Sequence, residues 1–243
     1  MKNIKKKIKK IAFILPSLKG GGAEKVFINI AISLANKKNN ITLISISGNN
    51  DYDLDWKKYN INFIKFNKKK IIFSFFQLIN FFNKNKFDII FSTIIHLNIL
   101  IFFLNKFFIK QKIILRESNN LELNLNDKNF IVKLFYRLFI PIVYKNSIII
   151  SPSNKLKSKL IKKYSLDRDK VFVINNPISI NFNQQNTVNN YNDFLNFIGI
   201  KEISNLKFIL NIGSLTKQKN QIQILKAMKK INNFSNIKLL IVG

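Results

Sequence analysis

Apolar runs of strand length alternate along this chain with longer stretches whose apolar positions recur at helical spacing. The runs predict strands at Lys10–Leu15, Ile41–Ser47, Ile61–Phe66, Asp88–Ser92, Lys112–Arg116, Ser147–Ser151 and Lys170–Ile174. Between them the spacing predicts helices over Ala23–Asn36, Lys70–Lys86, Leu97–Phe108, Lys128–Tyr144 and Ser153–Tyr164. In the first helix, Ala23, Phe27, Ile30 and Leu34 fall on one face. Strands that alternate with helices imply a parallel sheet covered on both faces, an α/β doubly wound plan.

The pattern then breaks. Asn175-Asn176-Pro177 is a sharp stop, and residues 178–205 are Asn-rich and weakly periodic, which reads as a linker. Order resumes with a strand at Leu206–Ile212, a turn at Gly213, a helix at Lys219–Ile231 and a strand at Ile237–Val242. The expected organisation is a Rossmann-like domain over 1–177, a linker over 178–205 and the start of a second Rossmann-like domain over 206–243. A single βαβ unit cannot bury both faces of its sheet. The second domain is therefore expected to be incomplete, with the remainder on another chain or lost by truncation.

Composition narrows the chemistry. In 243 residues, 41 Lys and Arg stand against 12 Asp and Glu, a formal charge of +29, and 47% hydrophobic content supplies a core. Such an excess points to an anionic partner: nucleic acid, a membrane surface or a phosphorylated substrate. Lys, Asn, Ile and Phe crowd the chain as AT-rich codons would make them, so part of the charge has a compositional source. With no Cys and one His there is no disulfide framework, Cys nucleophile or His-cluster zinc site, and no metal is expected. The apolar stretch after the basic N-terminus ends at Pro16, too short for a signal peptide. The uncharged stretch Ile89–Asn105 divides into a strand and a helix, and Phe130–Ile150 is interrupted by Lys133, Arg137, Pro141 and Lys145. A cytoplasmic protein is expected, with the inner face of the cytoplasmic membrane as a possible location.

Three places carry candidate chemistry. Gly20-Gly21-Gly22 follows the first strand and opens a helix, where free N–H groups and the helix dipole suit a phosphate. Its spacing matches neither a Walker A loop nor a dinucleotide fingerprint, and a flexible turn is the alternative. His96 and Glu117 follow the fourth and fifth strands, on the sheet edge where open α/β folds bind ligands. Each also has a structural reading, His96 as the satisfied structural residue that a lone His more often is, Glu117 as half of an Arg116–Glu117 pair that orders a loop. The turn Gly213-Ser214 with Lys219 repeats the strand–glycine–helix arrangement. Lysines at a helix N-terminus oppose the dipole unless an anion is bound.

Taken in order, five stretches resemble the family-4 glycosyltransferases, retaining enzymes of the GT-B plan with two facing Rossmann-like domains. They are KIAFILPSLKGGGAEKVFINIAISLA, FDIIFSTIIH with KIILRESNN, SIIISPSNKLKSKLIKKY, KVFVINNPIS, and FILNIGSLTKQKNQIQILKAMKKI. The resemblance implies transfer of a sugar from a nucleotide-diphosphate donor to a glycan or lipid-linked acceptor, with no cofactor. Gly20, Gly21, Gly22, Gly213, Ser214 and Lys219 would meet the donor phosphates, and Glu117 and His96 the reacting sugar. Two departures stand out. Ser214 occupies a position where the family commonly has Arg, and the closely spaced glutamates that bind the nucleotide ribose lie beyond Gly243. The isolated chain is accordingly expected to be nearly inactive. Two other readings remain at this level. One is a basic module that binds anionic membrane or nucleic acid without catalysis, though no specific nucleic-acid motif occurs. The other is a nucleotide-sugar epimerase, which the Gly-Gly-Ala-Glu loop opposes.

Overall fold

The structure is a computed structural model, and it describes residues 7–52, 54–117, 129–177, 195, 199, 206–216, 219–230 and 236–243. The chain divides into two compact units, Met1–Ser179 and Ile180–Gly243. The linker expected over 178–205 lies outside the described residues, Leu195 and Gly199 excepted.

The first unit is built on seven strands: β1 (Lys10–Leu15), β2 (Asn40–Ser45), β3 (Ile61–Lys65), β4 (Ile89–Thr93), β5 (Ile113–Arg116), β6 (Ile148–Ser151) and β7 (Val171–Val173). They form one sheet in the order β3-β2-β1-β4-β5-β6-β7, and every pairing is parallel. The register sets Phe13 beside Leu43 and Phe91, so odd positions of β1 face one side and even positions the other. On the odd side Phe13 meets Phe27 of α1 (Gly22–Asn36) edge-to-face, with centroids 5.2 Å apart, and Phe91 closes the group. On the even side Ala12, Ile14, Ile44 and Ile90 pack against Leu78 and Phe82 of α2 (Phe75–Lys84) and Leu97 and Ile101 of α3 (Ile95–Leu104). A third cluster joins β5–β7 to α4 (Phe130–Lys145) and α5 (Asn154–Tyr164) through Leu115, Ile149, Val171, Val143 and Leu160. Strands covered on both faces read as unbroken apolar runs, which is how β1 and β2 appear in the sequence.

The helix ends differ from expectation for local reasons. The predicted helix Lys70–Lys86 begins instead as a 3-10 turn, Ile71–Ser74, in which the Ser74 hydroxyl donates to the Ile71 carbonyl at 2.6 Å. Lysines 68–70 precede that turn, with Lys70 at its N-cap. The helix predicted at Leu97–Phe108 starts two residues earlier and ends in a π-helical turn, Asn105–Ile109, closed by Lys110 at φ 55°. Asn129 caps α4 by accepting from the Val132 N–H at 3.3 Å.

The second unit pairs β8 (Lys207–Ile212) with β9 (Ile237–Val242) in parallel, joined by α6 (Gln221–Met228). Asn220 at φ 52° stops α6 from beginning at Lys219, which lies in the preceding turn.

Candidate functional site

In the first sheet consecutive strands run outward from β1 in one direction and from β4 in the other. The loops that follow these two strands part company, leaving a crevice above their C-terminal ends. A cavity of about 660 Å³ lies there, lined by Pro16, Ser17 and Lys19 after β1 and His96 after β4. Residues 46–49 after β2 and 67–71 after β3 complete it. Because every strand is parallel, Gly20, His96 and Glu117 all follow C-terminal strand ends and share this edge.

The glycine loop is pinned from below. Leu18 is fully buried, its N–H donates to the Asn49 carbonyl at 3.3 Å, and its carbonyl accepts from the Asp51 N–H at 2.7 Å. The Tyr52 hydroxyl donates to the Gly21 carbonyl at 3.1 Å. Burial raises the Tyr52 pKa, and the charges of Glu24 and Asp51 raise it further, so the donor stays protonated at neutral pH. Gly20 takes φ +74°, a backbone that side chains rarely adopt, whereas a Cβ on Gly22 would meet nothing within 4 Å. The Glu24 carboxylate folds back over Gly21 at the start of α1. A negative group therefore already faces this helix's positive end.

His96 is exposed in the first turn of α3 and lines the cavity. It is delivered by Ile94, which sits at φ 71°, ψ 127°. A β-branched residue there is a strained outlier, worth roughly 1–3 kcal/mol, held by the structure around it. Behind it the end of β4 is locked by buried polar bonds. Ser92 Oγ donates to Asn98 Oδ1 at 2.6 Å, and Asn98 Nδ2 donates to the Arg116 carbonyl at 3.1 Å.

Glu117 is 2% exposed, and its carboxylate accepts a hydrogen bond from the buried Tyr144 hydroxyl. Tyr144 is pushed well above the ordinary tyrosine value, first by burial and then by the charge and hydrogen bond of Glu117. Arg116, also 2% exposed, turns to Asn176 instead, donating to its Oδ1 at 2.7 Å, and so ties the end of β5 to the stop at Asn175-Asn176-Pro177. Burial lowers the Arg116 pKa, and the charge of Glu117 opposes that fall.

In the second unit, Gly213, Ser214 and Lys219 come together. The stem of Lys219 packs over Gly213, so that a Cβ on the glycine would stand 3.5 Å from the lysine Cε. Gln221 donates to the carbonyls of Gly213 and Ser214 at 3.2 and 3.1 Å, and the Gly213 N–H donates to the Val242 carbonyl at 2.8 Å. The residues that sequence reasoning missed are Ser47, Lys68–Lys70, Tyr52, Tyr144, Asn176 and Gln221. Of these, the lysine run beside an apolar helix was visible as a basic cluster. Among the described residues no group of three or more His, Cys, Asp or Glu comes together as a metal site would require.

The sequence matches the family model Glycosyltransferase Family 4 over residues 20–182. The chain belongs to that family. Solved structures agree on its fold. A glycosyltransferase from Rickettsia africae ESF-5 is 18% identical, with a TM-score of 0.61 over 98% of this chain and 69% of that one. Anabaena Alr3699/HepE, solved with UDP-glucose, is 13% identical, with a TM-score of 0.71 over 96% of this chain and 60% of that one. WaaG, a glycosyltransferase involved in lipopolysaccharide biosynthesis, is 16% identical, with a TM-score of 0.65 over 95% and 62%. At these identities the likeness establishes an α/β, Rossmann-like GT-B architecture. The family-4 chain described here spans 60–69% of the length of these three structures. No curated protein matches it by sequence.

Proposed function

We propose that this chain contributes to a retaining transfer of a sugar from a nucleotide-diphosphate donor to a glycan or lipid-linked acceptor, in the synthesis of a surface polysaccharide or glycoconjugate. The observation that carries the reading is the packing of Lys219 against Gly213 in a member of this family. A lysine stem packed over a strand-end glycine keeps an ammonium beside backbone that a diphosphate can approach closely. Charge builds on the leaving diphosphate as the glycosidic bond breaks, and a fixed cation there lowers that barrier. Gly20, Gly21 and Gly22 serve the donor side of the first unit, in competition with Glu24. His96 borders the acceptor cavity. Glu117, tied to Tyr144, acts as a positioning residue at the end of β5.

The acceptor is proposed to lie at a membrane. Ring contacts run without a break from Phe76 through Phe75, Phe108, Phe107, Phe103 and Phe139 to Phe135. Phe76, Phe107, Phe108, Phe130, Ile131, Phe135 and Leu138 on these elements are exposed. Phe130–Lys145 holds no acidic residue and Lys69–Lys110 only Asp88, while Lys106, Lys110, Lys133 and Arg137 are interspersed. An apolar, basic face of this kind suits an anionic bilayer, at about 1 kcal/mol per lysine near the surface. No described helix is long and apolar enough to cross a membrane.

The test is calorimetric titration of the purified chain with UDP and UDP-glucose, wild type against Lys219→Ala. The variant is expected to bind about tenfold more weakly, the worth of one charge-assisted hydrogen bond. Equal binding would remove Lys219 from the donor site. The alternative, a basic surface-binding module without catalysis, is favoured by the same aromatic face. It is tested by cosedimentation with anionic and neutral vesicles over a salt series, beside a duplex-DNA assay. Loss of anionic-vesicle binding at high salt supports the membrane face, and tight sequence-selective DNA binding overturns it.

A further inference from the structure

The cavity above β1–β4 has a chemistry of its own. Its wall carries Lys19, Lys68, Lys69 and Lys70 beside His96, and among the described residues no Asp or Glu lines it. Three consecutive lysines at one rim bring like charges near each other, a cost that an anion placed between them lowers. The backbone sets where the run begins. Asn67 at φ 53° turns the chain after β3, and the Lys68 N–H donates to the Ile46 carbonyl at 2.8 Å. Gly48 leaves room for the Asn67 side chain, since a Cβ there would stand 2.7 Å from Asn67 Oδ1. A second observation is independent of charge. Ser47, also on the wall, has its hydroxyl oxygen buried without a hydrogen-bond partner. A buried hydroxyl left unmatched costs on the order of 1–3 kcal/mol, a cost that a small shift of this side chain toward a ligand acceptor would offset.

We propose that this cavity is a phosphate subsite, which receives a phosphate or diphosphate ester carried by the acceptor. That the ester belongs to the acceptor rests on the transferase reading above; the anion site itself does not. Lysines recognise phosphate as point charges on flexible stems, so the site reads charge more than shape. Ile72 and Phe73, exposed immediately after the lysine run, put apolar surface next to the rim. A phosphate ester presented by a lipid and a soluble one share the required chemistry.

The experiment measures acetylation of individual lysines by mass spectrometry in the full chain. Two probes are used, inorganic pyrophosphate, and phosphatidylcholine vesicles with or without phosphatidic acid. Pyrophosphate is expected to slow modification of Lys68–Lys70 several-fold while Lys155–Lys159 on α5 react at their original rate. The protection should persist in Lys219→Ala, which separates this site from the second unit. It should weaken about tenfold in Lys68→Gln/Lys70→Gln and by less in Ser47→Ala. These side chains lie at the rim or leave a small hydroxyl gap, and unchanged thermal midpoints confirm that the variants fold. Protection by phosphatidic acid vesicles but not by pyrophosphate assigns the site to lipid-borne phosphate. Protection by neither probe, or equal protection of the α5 lysines, overturns the proposal. Protection without any UDP-glucose binding retains the anion site and removes the acceptor assignment.

Discussion

The two units use the same local device, a strand that ends in a glycine turn and feeds a helix, under opposite conditions of burial. In the first, five of the six residues of β1 are buried, and Phe27 of α1 is fully enclosed. In the second, Leu210 and Ile212 of β8, Ile222 and Leu225 of α6 and Val242 of β9 are all exposed. Yet Gly213 is bonded to the end of β9 and clasped by Gln221 as firmly as Gly21 is held by Tyr52. The turn geometry is thus a local property, written by glycine, a capping polar group and a parallel partner strand. The stability behind it is not local, because it comes from apolar area on both faces of the sheet.

The sharpest way to break this comparison is to truncate one core residue in each unit. Phe27→Ala is expected to cost about 3–5 kcal/mol in urea unfolding, and Leu210→Ala within about 0.5 kcal/mol of nothing. Trp56, the one tryptophan, is buried in the first unit and reports that unit's unfolding by fluorescence. Leu210→Ala is followed by far-UV circular dichroism, and a loss there equal to that of Phe27→Ala would mean that the packing of Leu210 stabilises the second unit. Next in size, Tyr144→Phe leaves the buried Glu117 carboxylate short of a donor and should cost about 1–3 kcal/mol by the same readout.

Alkaline pH separates the units without mutation. Tyr52, Tyr136 and Tyr144 all have raised pKa values, with burial the first cause in each, and all lie in the first unit. A tyrosine whose folded pKa lies above its unfolded value holds its proton more tightly when folded. Its contribution is complete below about pH 10 and is lost as pH rises from there through the folded value. The Trp56 midpoint should therefore fall above about pH 10, and Tyr144→Phe should flatten the fall. A midpoint that rises with pH in that window would contradict the assigned shifts. The smallest effects compare neighbours in one loop. Gly20→Ala should cost about 1–2 kcal/mol because of its positive φ, whereas Gly22→Ala, at the open start of α1, should stabilise by about 0.4–1 kcal/mol.

Most of the fold was legible because a strand covered on both faces leaves no ambiguity of period. All seven strands of the first sheet were recognisable as apolar runs, and their parallel alternation with helices put Gly20, His96 and Glu117 on one edge. Helix starts were less legible, since they depend on single side chains such as the Ser74 hydroxyl. What was hidden in the site was hidden by distance along the chain. Tyr52 reaches Gly21 across 31 residues, Tyr144 reaches Glu117 across 27 and Arg116 reaches Asn176 across 60. No spacing rule links such positions; only the stacking order of the strands does. The lysines at 68–70 stand out in the sequence only as a basic run, and it is the turn at Asn67 that brings them to the cavity wall.

The central place of β1 in the sheet has a consequence for synthesis. β1 leaves the ribosome before both of its neighbours: it pairs with β2 on one side, but its other neighbour, β4, is made only after β3 and α2. At roughly 5–20 residues per second, the edge Ile11–Leu15 stays unpaired for on the order of ten seconds while the chain grows. That edge is apolar and free of charge, the kind of template on which nascent chains join one another. Clustered lysines upstream, at positions 5–7 and 9–10, keep like-charged chains apart over that interval. Slow-codon pausing between β1 and β4 should then raise the aggregated fraction, and replacing those lysines with glutamine should raise it further.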